Sequence, residues 1–363
     1  DKDTENPLNG GIFGIYAASD ITNVDGTVVA KKGTLIEKAT TGTDGKAKFS
    51  ADLPLGFSYE VKEEQAPTGY VRNTEDVYTF ALSYTNDKEA KQTFKHTFKN
   101  ERVIAKISLQ KQDKETKKAV PQGDATLEKA VYGLYAREDI VHPDGATGVV
   151  YKAGEQVATL TTDKNGQASV DGLYLGNYYV KEITPPTGYL ANEEEHDLVC
   201  NYEGDLVAEV KRDCLSLEQV MKQPFQIIKA ANNGKTDADL LKGAGFTAYL
   251  VSSLKVNEDG SYDFDSAKPV VSGENGATEI FTDEKGYACS IPLPFGSYIV
   301  RETTTPHNYK PVDDFEVNIT EHHPNEPQIW RVLLDEEFKA KLKIVKKDDE
   351  TKKSVLIAGT EFK

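Results

Sequence analysis

One plan of sequence is written three times along this chain, and no other feature limits its fold so strongly. The first copy holds Gly11-Ile12-Phe13-Gly14-Ile15-Tyr16, Thr43-Asp44-Gly45, Leu53-Pro54-Leu55-Gly56, Tyr59-Glu60-Val61-Lys62-Glu63 and Ala66-Pro67-Thr68-Gly69-Tyr70. The second holds Ala130-Val131-Tyr132-Gly133-Leu134-Tyr135, Thr162-Asp163-Lys164-Asn165-Gly166, Leu173-Tyr174-Leu175-Gly176, Tyr179-Val180-Lys181-Glu182 and Pro186-Thr187-Gly188-Tyr189. The third holds Gly243-Ala244-Gly245-Phe246, Thr282-Asp283-Glu284-Lys285-Gly286, Leu293-Pro294-Phe295-Gly296, Tyr298-Ile299-Val300-Arg301-Glu302, Pro306 and Tyr309. Glu63, Glu182 and Glu302 stand 119 and 120 residues apart, a period of whole domains and not of solenoid turns. A fourth copy opens at Lys341-Leu342-Lys343-Ile344-Val345-Lys346-Lys347-Asp348, and Gly359-Thr360-Glu361-Phe362-Lys363 continues it. The expected divisions are 1–100, with its opening strand truncated, 101–214, 215–337, and an opening segment at 338–363.

Each copy reads as antiparallel sheet. Short alternating runs are separated by turn residues at regular spacing. In Gln92-Thr93-Phe94-Lys95-His96-Thr97-Phe98, alternation puts Phe94, His96 and Phe98 on one face. Asp44-Gly45, Asp144-Gly145 and Asn165-Gly166 supply turns that tolerate positive φ. No long amphipathic helix is evident, and Ser216 to Met221 is expected to form one short turn near a junction. An apolar content of 38%, with 18 Tyr and 14 Phe, can furnish sandwich cores.

The formal net charge of -16 disfavours nucleic acid and anionic membrane surfaces as partners. No apolar run reaches transmembrane length, and no signal peptide opens the sequence. The three cysteines, Cys200, Cys214 and Cys289, form no CxxC pair, and the six His form no HExxH cluster. Neither a structural zinc site nor another cofactor is expected. Cys200 and Cys214 flank a hairpin but are not placed opposite each other, so buried thiols are expected there.

The opening strands carry an unusual feature. Lys111 follows Ile107 and Leu109 on one face; Lys229 follows Phe225 and Ile227; Lys346 follows Leu342 and Ile344. Lysine in register with core residues needs a partner or a route to solvent. Alternation likewise puts Glu63 on the face of Tyr59 and Val61, and Glu182 on that of Val180, with Glu302 at the matching place. Between two sheets a carboxyl tends to hold its proton and an amine to lose one. Those are the conditions for amide formation with a nearby Asn or Asp side chain, a carboxyl group relaying the proton.

These motifs together resemble the B-type repeat domains of collagen-binding adhesins of Gram-positive bacteria, also found in SpaA-type pilins. The likeness rests on Lys111-Gln112-Asp113-Lys114-Glu115-Thr116, Ala130 to Tyr135, Thr162-Asp163, Leu173 to Gly176, and Glu182 through Tyr189. It implies an all-β fold: tandem transthyretin-like or inverse-immunoglobulin β-sandwich domains in an elongated rod. It also implies a Lys–Asn or Lys–Asp isopeptide bond between first and last strands. Glu63, Glu182 and Glu302 match the assisting position. Acceptors are expected at Asn100, Asp213 and Asp335. Face alternation favours Lys111 with Asp213 and Lys229 with Asp335, while some relatives suggest Lys106 or Lys222 as donors. Asp1 aligns with Asp113, so the first domain is expected to be uncrosslinked, with Asn100 unpaired, unless Lys2 substitutes.

The resemblance implies a structural stalk or spacer of an extracellular adhesin or pilus-like protein. Attachment to the Gram-positive wall would lie outside this sequence. Its reaction would occur once per domain, without enzymatic turnover. The alternative is a binding module for a host surface or matrix protein or glycan, for which the stretch between Leu250 and Gly273, with Tyr262 and Phe264, is the candidate loop. A glycosidase would need a two-carboxylate constellation that the repeats do not supply.

Overall fold

Alternation decides which face of each strand is covered. In the computed structural model, which describes residues 1–84, 92–234, 239–339 and 342–355, every second side chain of Ile104–Asp113 is buried, from Ala105 through Ile107, Leu109 and Lys111 to Asp113. The described residues form strands and two short 3-10 turns, Val251–Ser253 and Glu274–Gly276. The chain divides into two compact units, Asp1–Val220 and Met221–Lys363. The first holds the first two repeats and the second holds the third.

The second repeat is a complete two-sheet sandwich. One sheet has the order Gln156–Thr161, Val131–Ala136, Gly176–Thr184, Glu195–Cys200, all antiparallel. The other places the opening strand Ile104–Asp113 between Gln167–Leu173 and the closing strand Glu209–Glu218. Opening and closing strands run parallel, from Glu209 beside Ile104 to Glu218 beside Asp113. Ile107, Leu109, Tyr132, Leu134, Tyr178, Val180 and Val210 fill the space between the sheets. The third repeat follows the same plan. Glu279–Phe281, Gly245–Leu250, Gly296–Thr304 and Phe315–Ile319 form one sheet. The opening strand Gln226–Asn232 sits between Tyr287–Cys289 and the closing strand Arg331–Glu336, again parallel to the latter.

The recurrent motifs have specific tasks. In Thr-Asp-x-x-Gly, the Thr162 hydroxyl donates to Leu127 O at 2.6 Å, and Asp163 accepts the N–H groups of Asn165 and Gln167. Gly166 takes a φ of 72°, where side chains are strained. A Cβ there would also meet the Lys111 carbonyl oxygen at 2.8 Å. The turn can therefore hold Lys111, whose N–H donates to Gly166 O, and Gly286 does the same for Lys229. The tyrosine that opens each glutamate strand is buried, with its hydroxyl on a nearby carbonyl: Tyr59 on Pro54, Tyr178 on Tyr174, Tyr298 on Pro294. The tyrosine that closes Pro-x-Gly-Tyr in the first two repeats, and Pro306-His307-Asn308-Tyr309 in the third, bridges back to the chain, pairing Tyr70 with Arg102, Tyr189 with Val220 and Tyr309 with Glu337.

The first repeat keeps the four-stranded sheet, in the order Leu35–Thr40, Ile12–Ala17, Ser58–Gln65, Val77–Ala81. Residues 46–49 and 92–99, which stand where the second sheet would be, form no ladder. In the second repeat the opening strand lies between those two positions and bonds to both. Phe94, His96 and Phe98 still share a face. Phe94 lies 4.9 Å from Phe80, His96 stacks 4.7 Å from Tyr78, and Phe98 lies 4.8 Å from Phe13.

The first and second repeats are joined by polar contacts. Asp205 receives Ala66 N at 3.0 Å and lies 3.5 Å from the Arg72 guanidinium, and its carbonyl accepts Arg72 N. Asp144 accepts the Asn6 amide at 2.9 Å and the Thr4 hydroxyl at 3.0 Å.

Two sequence expectations change. The second domain does not end at 214, because its closing strand runs on to Glu218. For the same reason Ser216 to Met221 is extended and makes no turn: Ser216 and Glu218 belong to that strand, and Val220 bridges to Tyr189. Cys200 and Cys214 are buried free thiols, on strands of different sheets. In the fourth segment, Asp348 caps a turn by accepting Thr351 N, as Asp113 accepts Thr116 N. Lys341 and Gly359 to Lys363 lie outside the described residues.

Candidate functional site

Lys111 is delivered to the sandwich interior by the register of its strand, with its side chain 0% exposed. Its ammonium nitrogen lies 2.9 Å from Glu182 Oε1, 3.3 Å from Glu218 Oε1 and 3.2 Å from the Tyr132 hydroxyl. Glu182 and Glu218 are buried equally well. Glu182 Oε2 accepts Asn192 N at 2.9 Å. Burial pushes the Glu182 carboxyl above its ordinary range, against the opposing pull of Lys111.

The third domain repeats the triangle. Lys229 Nζ donates to Glu302 Oε2 at 2.7 Å and touches Asp335 Oδ1, with all three side chains 0% exposed. Glu302 Oε2 also accepts Val312 N at 2.9 Å. The Lys229–Asp335 contact is tight but lacks hydrogen-bond angles, and neither Asp335 oxygen finds another donor among the described residues. Burial raises the Asp335 carboxyl, again against the lysine. A buried carboxylate without hydrogen bonds is costly, so this arrangement favours any step that removes the charge.

In the first domain Asn100 is 4% and Glu63 5% exposed. Asn100 Nδ2 donates to Glu63 Oε1 and Oε2 at 2.9 and 2.8 Å, and to Val71 O. Asn73 N donates to Glu63 Oε2 at 2.7 Å. Burial raises the Glu63 carboxyl as well. Lys2 does not approach this pair: its backbone N–H bonds Asn100 O, and its ammonium pairs with Glu101 at the surface.

The remaining sequence candidates sit elsewhere. Asp213 is exposed and stands opposite Ser108, on the outer face of the closing strand. The expected pairing of Lys111 with Asp213 is thereby corrected: Ser216 is the residue level with Lys111, and Glu218 lies two further on. Lys106 lies on the opposite face from Lys111, level with Lys211. Lys222 belongs to the short strand Lys222–Gln223, which pairs with Leu293–Pro294. Lys346 is exposed.

The sequence points to Asp213 and not to Glu218, because the resemblance implies an Asn or Asp acceptor. A signal was present: Asn100 lies 37 residues after Glu63, and the same step from Glu182 ends beside Glu218. The backbone confirms the equivalence, since the residue two beyond Asn100, Glu218 and Asp335 bridges the closing tyrosine in every domain.

Two other places gather donor atoms or aromatic rings. Asp1, His142 and Asp144 each bring a donor atom within 4.8 Å of the others. Their atoms are engaged: Asp144 by Thr4, Asn6 and Thr147, Asp1 by Asp3 N, Thr4 N and Tyr70, and His142 Nδ1 by Asp144 N. In the loop from 250 to 273, Phe264 lies under the Arg301 guanidinium at 4.0 Å and packs on Tyr249 and Tyr262.

The family described as "SpaA: Prealbumin-like fold domain" matches three times, over residues 1–97, 105–213 and 224–329. No curated protein matches. Among solved structures the fold is similar to that of the TIE protein of Bacillus anthracis, with a TM-score of 0.52 at 22% identity, over 92% of this chain and 48% of that one. This chain thus spans about half the length of that relative. Weaker likenesses are to GBS52, the minor pilin of Streptococcus agalactiae, and to a streptococcal ancillary pilin. The first has a TM-score of 0.28 at 15% identity, covering 67% of this chain and 100% of that one. The second has 0.27 at 18%, covering 92% and 93%. A family profile that matches three successive repeats, covering most of the sequence, places the chain in the SpaA family of prealbumin-like domains.

Proposed function

We propose that this chain is a stalk or spacer segment of an extracellular adhesin or pilus-like surface protein, and that an amide bond between Lys229 and Asp335 locks its third domain. The observation that carries the reading is the enclosed Lys229–Glu302–Asp335 triangle, with both Asp335 oxygens lacking hydrogen bonds among the described residues. Burial favours a proton on Asp335. Lys229 passes a proton to Glu302 along their 2.7 Å hydrogen bond and becomes a neutral amine. Its nitrogen attacks Asp335 Cγ. Glu302 protonates the departing hydroxyl, which leaves as water, and then takes the surplus proton from nitrogen. One C–O and two N–H bonds break; one C–N bond forms, with one O–H bond in the water and one on Glu302. Two buried charges disappear, and the opening and closing strands are joined.

A locked sandwich suits a spacer outside the cell, where proteases act and three scattered cysteines supply no disulfide. The reaction happens once per molecule, so the role is structural and not catalytic. Neighbouring domains of the same chain are the partners this role requires. The stalk reading is favoured over a host-binding module because Phe264 of the candidate loop is engaged by Arg301, Tyr249 and Tyr262. Peptide mapping by mass spectrometry tests the bond. A branched peptide joining Lys229 to Asp335, one water lighter than its parts, is expected; separate linear peptides from both positions would overturn the reading.

A further inference from the structure

We infer that the second domain closes a bond of a different kind, between Lys111 and the side chain of a glutamate, Glu218. The inference rests on the reading of the Lys229 site and extends it to an acceptor one methylene longer. Three observations point to Glu218. It occupies the position of Asp335 and Asn100, two residues before the bridge to the closing tyrosine. Its side chain is 1% exposed, and its Oε1 lies 3.3 Å from Lys111 Nζ. Its two oxygens are also treated very differently by their surroundings.

Oε1 is surrounded by donors. The Ser216 hydroxyl donates to it, the Tyr132 hydroxyl lies at 3.2 Å and Asn192 Nδ2 at 3.3 Å. Oε2 is buried with no hydrogen-bond partner among the described residues. This asymmetry is what an acyl transfer needs. Negative charge developing on Oε1 in the tetrahedral intermediate would be held by fixed donors. Oε2, held by nothing, is the oxygen free to depart. The third domain has Phe246 and Leu333 where the second has Tyr132 and Ser216, so it has no such cradle. The longer side chain brings its carboxyl to the lysine, and the hydroxyls fix its orientation.

The balance is complete within the cluster. With Glu218 carrying a proton on Oε2, Lys111 gives a proton to Glu182 along their 2.9 Å hydrogen bond and becomes an amine facing a carboxylic acid. Its nitrogen attacks Glu218 Cδ. Glu182, whose carboxyl burial favours in the protonated form, donates to the Oε2 hydroxyl, which leaves as water. Glu182 then recovers a proton from the nitrogen. No oxidant or other reactant is required.

Peptide mapping of the full chain, with intact mass, decides the matter. The expected result is a branched peptide joining Lys111 to Glu218 beside the one joining Lys229 to Asp335, with the whole chain lighter by a water for each. Linear Lys111 and Glu218 peptides beside a linked Lys229 would overturn this inference and leave the proposed function standing. Linear peptides at both sites would overturn both. A branch from Lys111 to Asp213 would also overturn it, and Asp213→Asn is expected to leave both bonds formed. Glu182→Gln keeps the size and polarity of the relay but not its acid. It is expected to leave Lys111 linear while Lys229 is still linked; a full yield of Lys111–Glu218 branch in that variant would remove Glu182 from the reaction.

Discussion

The second and third domains bury the same triangle of lysine, glutamate and acceptor, but they line it differently. Around Lys111 the walls are polar: Tyr132, Ser216 and Asn192 all reach Glu218. Around Lys229 they are apolar: Phe246 lies beneath the ammonium at 5.5 Å, and Asp335 has no hydrogen bond among the described residues. The fold thus fixes where the three groups meet, while the neighbours decide how acceptor charge is handled. One site cradles its acceptor oxygen and the other leaves it exposed to the cost of burial. The first domain shows a third condition, in which Asn100 and Glu63 bond each other and no lysine among the described residues reaches them.

The largest expected effect separates the third domain from the second. Glu302→Ala removes the relay and should leave Lys229 and Asp335 linear. The closed loop from 229 to 335 spans nearly the whole domain, so its loss should cost about 4 kcal/mol and lower that domain's midpoint by roughly 15 °C. Calorimetry with peptide mapping checks this. A lost bond with an unmoved midpoint would break the link between closure and stability.

A smaller effect probes the walls. Tyr132→Phe combined with Ser216→Ala gives the second site the apolar lining of the third. Loss of an oxyanion donor commonly slows acyl chemistry by about a hundredfold or more. Pulse-labelled expression followed by timed mass analysis should show Lys111 linking slowly and Lys229 linking at its usual rate. Equal slowing at both sites would mean that the lining does not matter.

The smallest effect concerns the first domain. Glu63 binds its proton more tightly when folded, because burial raises its carboxyl. That stabilisation is complete below the ordinary glutamate value of about 4.3 and is lost as pH rises through the elevated folded value, by at most about 1.4 kcal/mol per unit. The first domain's midpoint should fall across that window, and Glu63→Gln should flatten the profile. A wild-type profile already flat there would show that Glu63 does not govern it.

Much of this was readable from residue order. Repeat spacing located three domains, and alternation placed Lys111, Lys229, Glu63 and Glu182 in the interior, because a strand has only two faces. The acceptor of the second domain was not reached in the same way. Face alternation says whether a side chain points inward, but not how far a parallel partner strand is displaced along its neighbour. That displacement puts Ser216, and not Asp213, level with Lys111. The extent of the closing strand was hidden for a related reason: Ser216-Leu217-Glu218-Gln219-Val220-Met221 lacks the apolar alternation and β-branched enrichment of a strand, and pairing with the opening strand overrides that local preference. The hydroxyls around Glu218 were invisible, since Tyr132 reads simply as a core aromatic until its partners are known.

The parallel pairing of opening and closing strands has a mechanical consequence. The chain comes into the second domain at Ile104 and goes out at Glu218, at opposite ends of two strands lying side by side. Pulling on those ends slides one strand along the other, so the ladder between them is loaded all at once in shear. Antiparallel neighbours pulled from the same end would peel apart one rung at a time.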